Sequence, residues 1–488
     1  MTLLTKSRYV HGLVCPRFLW IEVHEKDKLP EVDMATQHRF DQGHLVGEMA
    51  KECFPKGIDL AGLEFKENIE KTKKAVRERK VIFEAGIMFK NIFSRADILV
   101  PVGKDEWDVI EVKSSTQVKD EHLHDLSFQR FTYEQAGLNI RNCVVMHINN
   151  QFIKQGKIKP QEFFTQEDIT KDVDEASKGI QERIESMLKL IASPTFSEKI
   201  AGGCTQPGEC VLEECWKHLP EHHIFTLCGL KKKQLELFEQ GIVALKDIPD
   251  SVKLNDKQQI QRDCAKSGKP HIHKEEIATF LRTLKYPLCY LDFETFSTAI
   301  PLFDGVKPYQ QIPFQFSLHV DNGKKVEHFG FLADGTNDPR KEFIETLQKV
   351  LPKSGNVVVY NGPFEKGVLT KLAELYPEYK EWVTQVVNRF ADLLIPFRNF
   401  HYYHPDQKGS ASIKAVLPVL TGNDYKDLEI GKGDDASVSF LAITFGKVSS
   451  EEKQKVRRDL EVYCGQDTEG MRWIVKELEE MVEVSKRK

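Results

Sequence analysis

The stretch DILVPVGKDEWDVIEVKSST, residues 97–116, predicts two strands joined by a tight turn. DILVPV and WDVIEV are apolar and rich in β-branched residues, and the GKDE between them is a polar turn. Because side chains alternate between the two faces of a strand, Glu111 and Lys113 share one face and Val112 takes the other. A Glu–Lys pair at this spacing is compatible with a solvated ion pair or with a site where an acid and an amine act together.

Asp97, Glu111 and Lys113 have the side chains that metal-assisted phosphodiester cleavage requires. Two carboxylates hold a hard divalent cation through oxygen, and the cation polarises the phosphate and lowers the pKa of a bound water. A neighbouring ammonium orients that water or stabilises the developing charge. Antiparallel strands joined by a tight turn bring the three residues together.

The pattern resembles the signature of the PD-(D/E)xK nucleases, with Asp97 as the first Asp and residues 111–113 (EVK) as (D/E)xK. In HDLSFQRFTYEQAG (124–137), Gln129 and Tyr133 match the QxxxY motif of the RecB-type branch. The resemblance implies a restriction-endonuclease-like domain in which Asp97 and Glu111 bind Mg²⁺ or Mn²⁺. It also implies that Lys113 assists the water, and that Gln129 and Tyr133, on one helix face, contact nucleic acid.

Three further residues are candidates for this first site. The branch often carries a metal-binding His or acid on an upstream helix, where DQGHLVGEMA (41–50) offers His44 and Glu48. A lone helical His is more often structural, and the spacing from Gly43 differs from the expected one. Glu84, in IFEAGI before the first strand, is an alternative acidic contributor.

The cysteines extend the resemblance to the iron–sulfur members of this branch, such as AddB-type and CRISPR-adaptation nucleases. In these proteins one Cys precedes the nuclease core and three follow it, as do Cys15 and the group Cys204, Cys210 and Cys215 here. Four thiolates suit a [4Fe–4S] cluster that braces the domain, and four structural Zn²⁺ ligands are the alternative.

A second acidic set lies between residues 290 and 467. YLDFETFS places Asp292 and Glu294 on one face of a strand, and the apolar run before NGPFE leads to Glu365 at the start of a helix. RFADLLIPF supplies Asp392, and LEVYCGQDTEGM supplies Tyr463 and Asp467 one helical turn apart. Carboxylates from a strand and two helices can converge on a pair of cations that clamp the attacking and leaving oxygens of a phosphate.

These motifs resemble those of the DnaQ-like, RNase H-fold 3′–5′ exonucleases, in the DEDDy variant that uses Tyr. The resemblance implies that Asp292, Glu294, Glu365 and Asp467 hold two metals and that Tyr463 orients the water. Glu365 departs from the pattern, since the second motif normally ends in Asp. Asp392 is a further candidate, either as a backup ligand or as a structural cap.

At 488 residues the chain is expected to form two or three domains. We predict an α/β multi-domain protein with a PD-(D/E)xK domain over 1–220, a small helical connector over 221–284 and a DnaQ-like domain over 285–488. Its 40% hydrophobic and 29% charged residues are typical of a globular protein, and its net charge of −5 confines any nucleic-acid contact to local patches. Neither a signal peptide nor a membrane span is expected, so we predict a cytoplasmic location.

The whole chain resembles a family of bacterial proteins described only as RecB-like nucleases, which implies an architecture but no substrate. We expect a metal-dependent nuclease acting on DNA, single-stranded or with free ends, in repair, recombination or defence. Two alternatives stay open: trimming of RNA, and a second domain that only binds nucleic acid. The sequence has no GxxxxGK[ST] phosphate loop, so any helicase partner would be a separate protein.

Overall fold

The computed structural model describes residues 2–196, 212, 215, 217–229 and 231–483, and it divides into two compact units. The first comprises Met1–Trp216 with Thr298–Gln310, and the second Lys217–Ser297 with Gln311–Lys488. Each unit has its own mixed sheet and helices, so the chain is a multi-domain α/β protein. The segment 221–284, predicted as a connector, groups with the second unit.

The first unit is built on a seven-stranded sheet in the order β2-β3-β4-β5-β6-β7, with β1 paired to β4. Its strands are β1 (Leu4–Thr5), β2 (Ile58–Asp59), β3 (Ile82–Phe89), β4 (Ile92–Val102), β5 (Glu106–Lys113), β6 (Asn139–Ile148) and β7 (Phe164–Asp168). Its helices are α1 (Lys6–Val14), α2 (Pro16–His24), α3 (Met34–Lys51), α4 (Phe65–Arg77), α5 (Asp120–Gln135), α6 (Pro160–Phe163), α7 (Thr170–Ala176) and α8 (Ile180–Ala192).

The two predicted strands, β4 and β5, lie at the centre of this sheet and pair antiparallel. Ile98 and Ile110 belong to a core cluster on one face, and Leu99 and Val109 belong to a cluster on the other. A strand that packs on both faces is apolar along most of its length, which explains the many apolar residues in DILVPV and WDVIEV.

The prediction of one long helix over about 167–193 is wrong in two respects. Strand β7 continues to Asp168, and the helical part is divided into α7 and α8 at Gly179. Gly179 has φ of +72°, a left-handed conformation that interrupts a helix and that glycine adopts at little cost.

The second unit contains a five-stranded sheet in the order β11-β10-β9-β12-β13 and a two-stranded sheet of β14 and β8. Its strands are β8 (His271–Ile272), β9 (Leu288–Phe296), β10 (Ile312–Asp321), β11 (Val326–Leu332), β12 (Asn356–Val359), β13 (Phe390–Asp392) and β14 (Tyr402–Tyr403). Its helices are α9 (Lys231–Glu239), α10 (Asp256–Ser267), α11 (Lys274–Arg282), α12 (Arg340–Val350), α13 (Pro363–Leu375), α14 (Lys380–Val387), α15 (Leu394–Arg398), α16 (Ile413–Thr421), α17 (Gly433–Phe445) and α18 (Ser450–Glu483).

The central strand β9 is antiparallel to β10 and parallel to β12. Leu291 and Phe293 point into the main apolar core of this unit. Asp292 and Glu294 therefore point to the opposite face, where the long helix α18 packs. No helix in the described ranges has the length and apolar character needed to cross a bilayer.

Tyr133, on α5, ties two strands of the first unit together and has no exposed surface. Its hydroxyl donates to the carbonyl oxygen of Ala85 on β3 and accepts from the amide of Ala96 on β4, both at 2.7 Å. The prediction that Tyr133 contacts nucleic acid is therefore wrong, because both hydrogen-bonding positions of the phenol are used inside the core.

We predict that Tyr133→Phe lowers the free energy of unfolding by about 1–3 kcal/mol, since it leaves a buried carbonyl and a buried amide without their partner. Urea unfolding measures the loss. Tyr286→Phe is the control, because Tyr286 is half exposed and should lose almost nothing. Equal stability of the two variants would contradict the bridging role.

Candidate active sites

The first site lies where three neighbouring strands present carboxylates side by side. Extending the β4–β5 register one step beyond the pair Ile98–Ile110 places Asp97 opposite Glu111. The β3–β4 register places Glu84 opposite Asp97. Glu84 has φ of +56°, a conformation that non-glycine residues rarely adopt, so the ladder is distorted beside the site.

Glu111 is the most heavily bonded group of this site. Its Oε1 accepts from Lys113 Nζ at 2.9 Å and from Lys6 Nζ at 2.5 Å, and its Oε2 accepts from Gln129 Nε2 at 2.6 Å. Lys113 also donates to Asp125. The predicted pairing of Glu111 with Lys113 on one strand face is thus confirmed.

Gln129 has no exposed surface, so the prediction that it contacts nucleic acid is wrong. Its place in the motif has a different physical reason. It lies one turn before Tyr133 on α5, and the pair joins that helix to the strands that carry Asp97 and Glu111. Gln129 orients Glu111, and Tyr133 fixes β4.

The two main carboxylates of the first site, Asp97 and Glu111, have pKa values that are shifted in opposite directions. Burial, together with the charge of Glu111, raises the pKa of Asp97. Burial also opposes ionisation of Glu111, but Lys113 and Lys6 outweigh it and lower the pKa of that carboxyl. Asp97 Oδ2 accepts one strand amide, that of Val112, at 2.7 Å.

Six of the predicted residues of this site line one cavity of about 570 Å³, namely His44, Glu48, Glu84, Asp97, Glu111 and Lys113. Ser114 and further residues of α3 also line it. The carboxylate oxygens of Asp97, Glu111 and Glu84 are donors of the type that Mg²⁺ and Mn²⁺ prefer. His44 and Glu48 are exposed on α3, and Glu48 pairs with Lys51.

Two further residues of the first site, Lys6 and Asp125, had not been singled out from the sequence. Lys6 lies 105 positions from Glu111 in the chain and belongs to no motif. Asp125 precedes the Gln129 motif by one helical turn, and this spacing toward the same helix face is the one signal that could have suggested it.

Two of the four predicted cluster cysteines, Cys204 and Cys210, lie outside the described residues. The other two both lie beside α2. Cys15 caps α2, with its Sγ accepting from the amide of Phe18, and Trp20 and Ile21 of that helix pack with the buried Cys215.

In the second unit the four predicted carboxylates converge. Asp292 and Glu294 come from β9, Glu365 from the first turn of α13 and Asp467 from α18. Burial first, and then the charges of Asp467, Glu294 and Glu365, raise the pKa of Asp292 well above its ordinary value. The four carboxylates therefore lie near enough for the charges of the other three to act on Asp292.

The local chain conformation before α13 sets the position of Glu365 beside the other carboxylates. Asn361 adopts φ of +77°, a left-handed conformation that Asn tolerates, and Pro363 begins the helix. Asp392 Oδ1 accepts from the amides of Asn361 and Leu394, each at 3.0 Å. Asp392 thus caps the backbone around the site.

The environment of Glu365 is compatible with a bound cation. It is buried, and its Oε2 has no hydrogen-bond partner. Burial raises its pKa from 4.5 to about 8. Buried carboxylates of like charge cannot all ionise unless a cation compensates them, so the donor set fits divalent metal.

A phenol pair and a lysine border the acids. Tyr425 donates to Asp467 Oδ1 at 2.6 Å, and Tyr463, one turn before Asp467, accepts from Lys414 Nζ at 3.1 Å. Cys464 Sγ lies 3.7 Å from Asp292 Oδ2. Ligand atoms of Asp292, Glu294 and Cys464 all lie within 4.8 Å of one another. Tyr425 and Cys464 had not been singled out from the sequence.

We predict that the metal-free protein loses stability as the pH rises from about 4.5 to about 8, because the folded chain holds the Glu365 proton that the unfolded chain releases. Glu365→Gln should lose less over that interval, since the amide does not ionise. Thermal unfolding in EDTA at several pH values measures it. Exposed Glu342→Gln is the control, and a slope shared by all three proteins would refute the assignment.

The family and the proteins that this chain resembles are described without a function. A family described as a domain of unknown function, DUF2779, matches residues 289–412, which include Asp292, Glu294, Glu365 and Asp392. Uncharacterized protein MG366 of Mycoplasma genitalium is 29% identical over 220 residues, 41% of this chain and 33% of that protein. Uncharacterized protein UU173 of Ureaplasma parvum is 25% identical over 247 residues, 46% of this chain and 35% of its own. These matches span about a third of the length of the relatives.

Proposed function

We propose that the protein is a divalent-metal-dependent nuclease with one phosphodiesterase site in each unit. The observation that carries the proposal is the set of four carboxylates in the second unit, three of them buried (Glu294, Glu365 and Asp467), in which Glu365 Oε2 has no partner. Such a set is costly to bury unless a cation binds it. Paired divalent ions are what phosphate-cleaving sites hold in this way.

The folds of both units support the proposal. In the second unit an antiparallel β11-β10-β9 segment continues into parallel β12 and β13, as expected of an RNase H-like, DnaQ-type domain. In the first, the acids lie on central strands of a mixed sheet with α5 packed beside them, as expected of a PD-(D/E)xK domain.

In the first unit Asp97 and Glu111, with Glu84 beside them, would hold Mg²⁺ or Mn²⁺, which supplies an activated water and polarises the phosphate. Lys113 stays protonated, because Glu111 and Asp125 raise its pKa against the effect of burial. It can therefore donate to a phosphate oxygen or orient the water. Asp125 and Gln129 hold Lys113 and Glu111 in position.

In the second unit Asp292, Glu294, Glu365 and Asp467 would hold two metals. Burial and the nearby carboxylates keep the pKa of Tyr463 far above its ordinary value, so it remains a neutral phenol. Its hydroxyl accepts from Lys414 and would orient a water beside Asp467. Glu365 is a methylene longer than the usual Asp, but its charge acts on Asp292, which supports its place in the acid cluster.

We propose DNA, single-stranded or with free ends, as the substrate, because both resemblances include DNA exonucleases. RNA is the alternative within the same chemistry. End-labelled DNA and RNA oligonucleotides of one sequence, digested side by side, distinguish them. A partner helicase and a role in repair, recombination or defence remain parts of the proposal.

We predict that Lys113→Ala and Asp292→Ala each remove part of the nuclease activity and that the double variant removes the rest. The loss from each site should be about 10²–10³-fold, as expected when a group stabilising the transition state is removed. Cleavage of end-labelled single- and double-stranded DNA measures it, and excess EDTA should abolish it.

The matched controls are Lys119→Ala and Asp321→Ala, which change the same residue types outside both sites. Undiminished cleavage by Asp292→Ala, together with loss in Lys113→Ala, would make the second unit a binding module. Full activity in EDTA would refute both sites.

We further propose a [4Fe–4S] cluster on Cys15, Cys204, Cys210 and Cys215 as a brace of the first unit. Protein purified without oxygen should contain iron and show visible absorbance, and Cys15→Ser should lose both. Cys53→Ser is the control, because Cys53 packs in a different cluster. A colourless protein that contains zinc and no iron would show that the four cysteines hold zinc instead of an iron–sulfur cluster.

A further inference from the structure

Strand pairing in the sheet positions Lys6 at the first site. Leu4 and Thr5 form β1, which pairs parallel with the start of β4, and Leu4 is fully buried. Helix α1 begins at Lys6 and is anchored by Tyr9, whose ring stacks on Phe128 at 5.0 Å. The backbone at Lys6 is therefore fixed on both sides.

The Lys6 ammonium lies among the acids of the site. Its Nζ is 2.5 Å from Glu111 Oε1, and its side chain is 20% exposed. Asp97 and Asp125 also act on its charge. An ammonium is costly to bury unless it is paired, and the three carboxylates Glu111, Asp97 and Asp125 offset the charges of Lys6 and Lys113.

The three donors on Glu111 differ in how firmly they are held. A carboxylate has about four lone-pair positions, and Lys6, Lys113 and Gln129 occupy three of them. Lys113 also pairs with Asp125, and Gln129 is fully buried. Within the described residues, Glu111 is the single ion-pair partner of Lys6, so Lys6 is the donor that can leave.

We propose, on the basis of the proposed function, that Lys6 competes with the divalent cation for Glu111 and, once released, binds a phosphate oxygen of the substrate. It then acts twice. In the metal-free protein it holds Glu111 in place, and in the loaded protein it provides a second positive charge beside that of Lys113. The metal requirement of the first site is set by this exchange.

The competition has a signature that a purely structural lysine would not give. Lys6→Met should bind Mn²⁺ more tightly, because an oxygen of Glu111 is released, yet kcat should fall about 10–100-fold, the range typical of groups next to metal ligands. Lys6→Arg, which keeps the charge, should recover part of kcat. A lysine that only stabilises the fold would weaken Mn²⁺ binding when removed.

The experiment uses the full chain with Asp292→Asn, which impairs metal binding by the second unit in every arm. Mn²⁺ titration calorimetry and Mn²⁺-dependent cleavage are compared for this parent and for parent with Lys6→Met, Lys6→Arg or the control Lys119→Met. Tighter Mn²⁺ binding with lower kcat in Lys6→Met supports the proposal. Unchanged kcat, or weaker Mn²⁺ binding, overturns it.

Failure of the proposed function gives a different result. A parent that cleaves neither DNA nor RNA refutes the nuclease site. The calorimetry then still decides whether Lys6 competes with metal, since it needs no turnover.

Discussion

Burying several carboxylates beside one another is the physical constraint on which both units depend. Each ionised carboxylate in a protein interior loses its hydration and repels its neighbours, so such a group persists only where the fold holds it firmly. Here the holders are the central strands of two sheets, β4 and β5 in one unit and β9 in the other, each packed against apolar side chains.

The two units meet this constraint in different ways. In the first, Lys6 and Lys113 lie within hydrogen-bonding distance of Glu111, and the charge is largely balanced by the chain itself. In the second, Lys414 contacts the phenol of Tyr463 rather than a carboxylate oxygen, and Glu365 keeps an oxygen without a partner. A cation would thus replace an existing ion pair in the first unit, but would fill a deficit of positive charge in the second.

Local chain geometry was largely predictable from the sequence. The strand–turn–strand of residues 97–113, the strand through Asp292 and the helix through Tyr463 and Asp467 all follow from apolar periodicity, and all are present. The predicted helix over about 167–193 is divided, because the preference of Gly179 for a left-handed conformation overrides the polar, helix-like composition around it.

Which carboxylates share a strand face or a helix turn can be predicted from residue order, since these relations depend only on the periods of the strand and the helix. Three features of the sites depend instead on how the chain folds: Lys6 reaches Glu111, Gln129 and Tyr133 face inward, and Tyr425 and Cys464 border the second site. Those contacts join residues far apart in the chain or depend on the side of a helix that is buried. Sheet register and core packing set both, and neither is encoded in a local pattern.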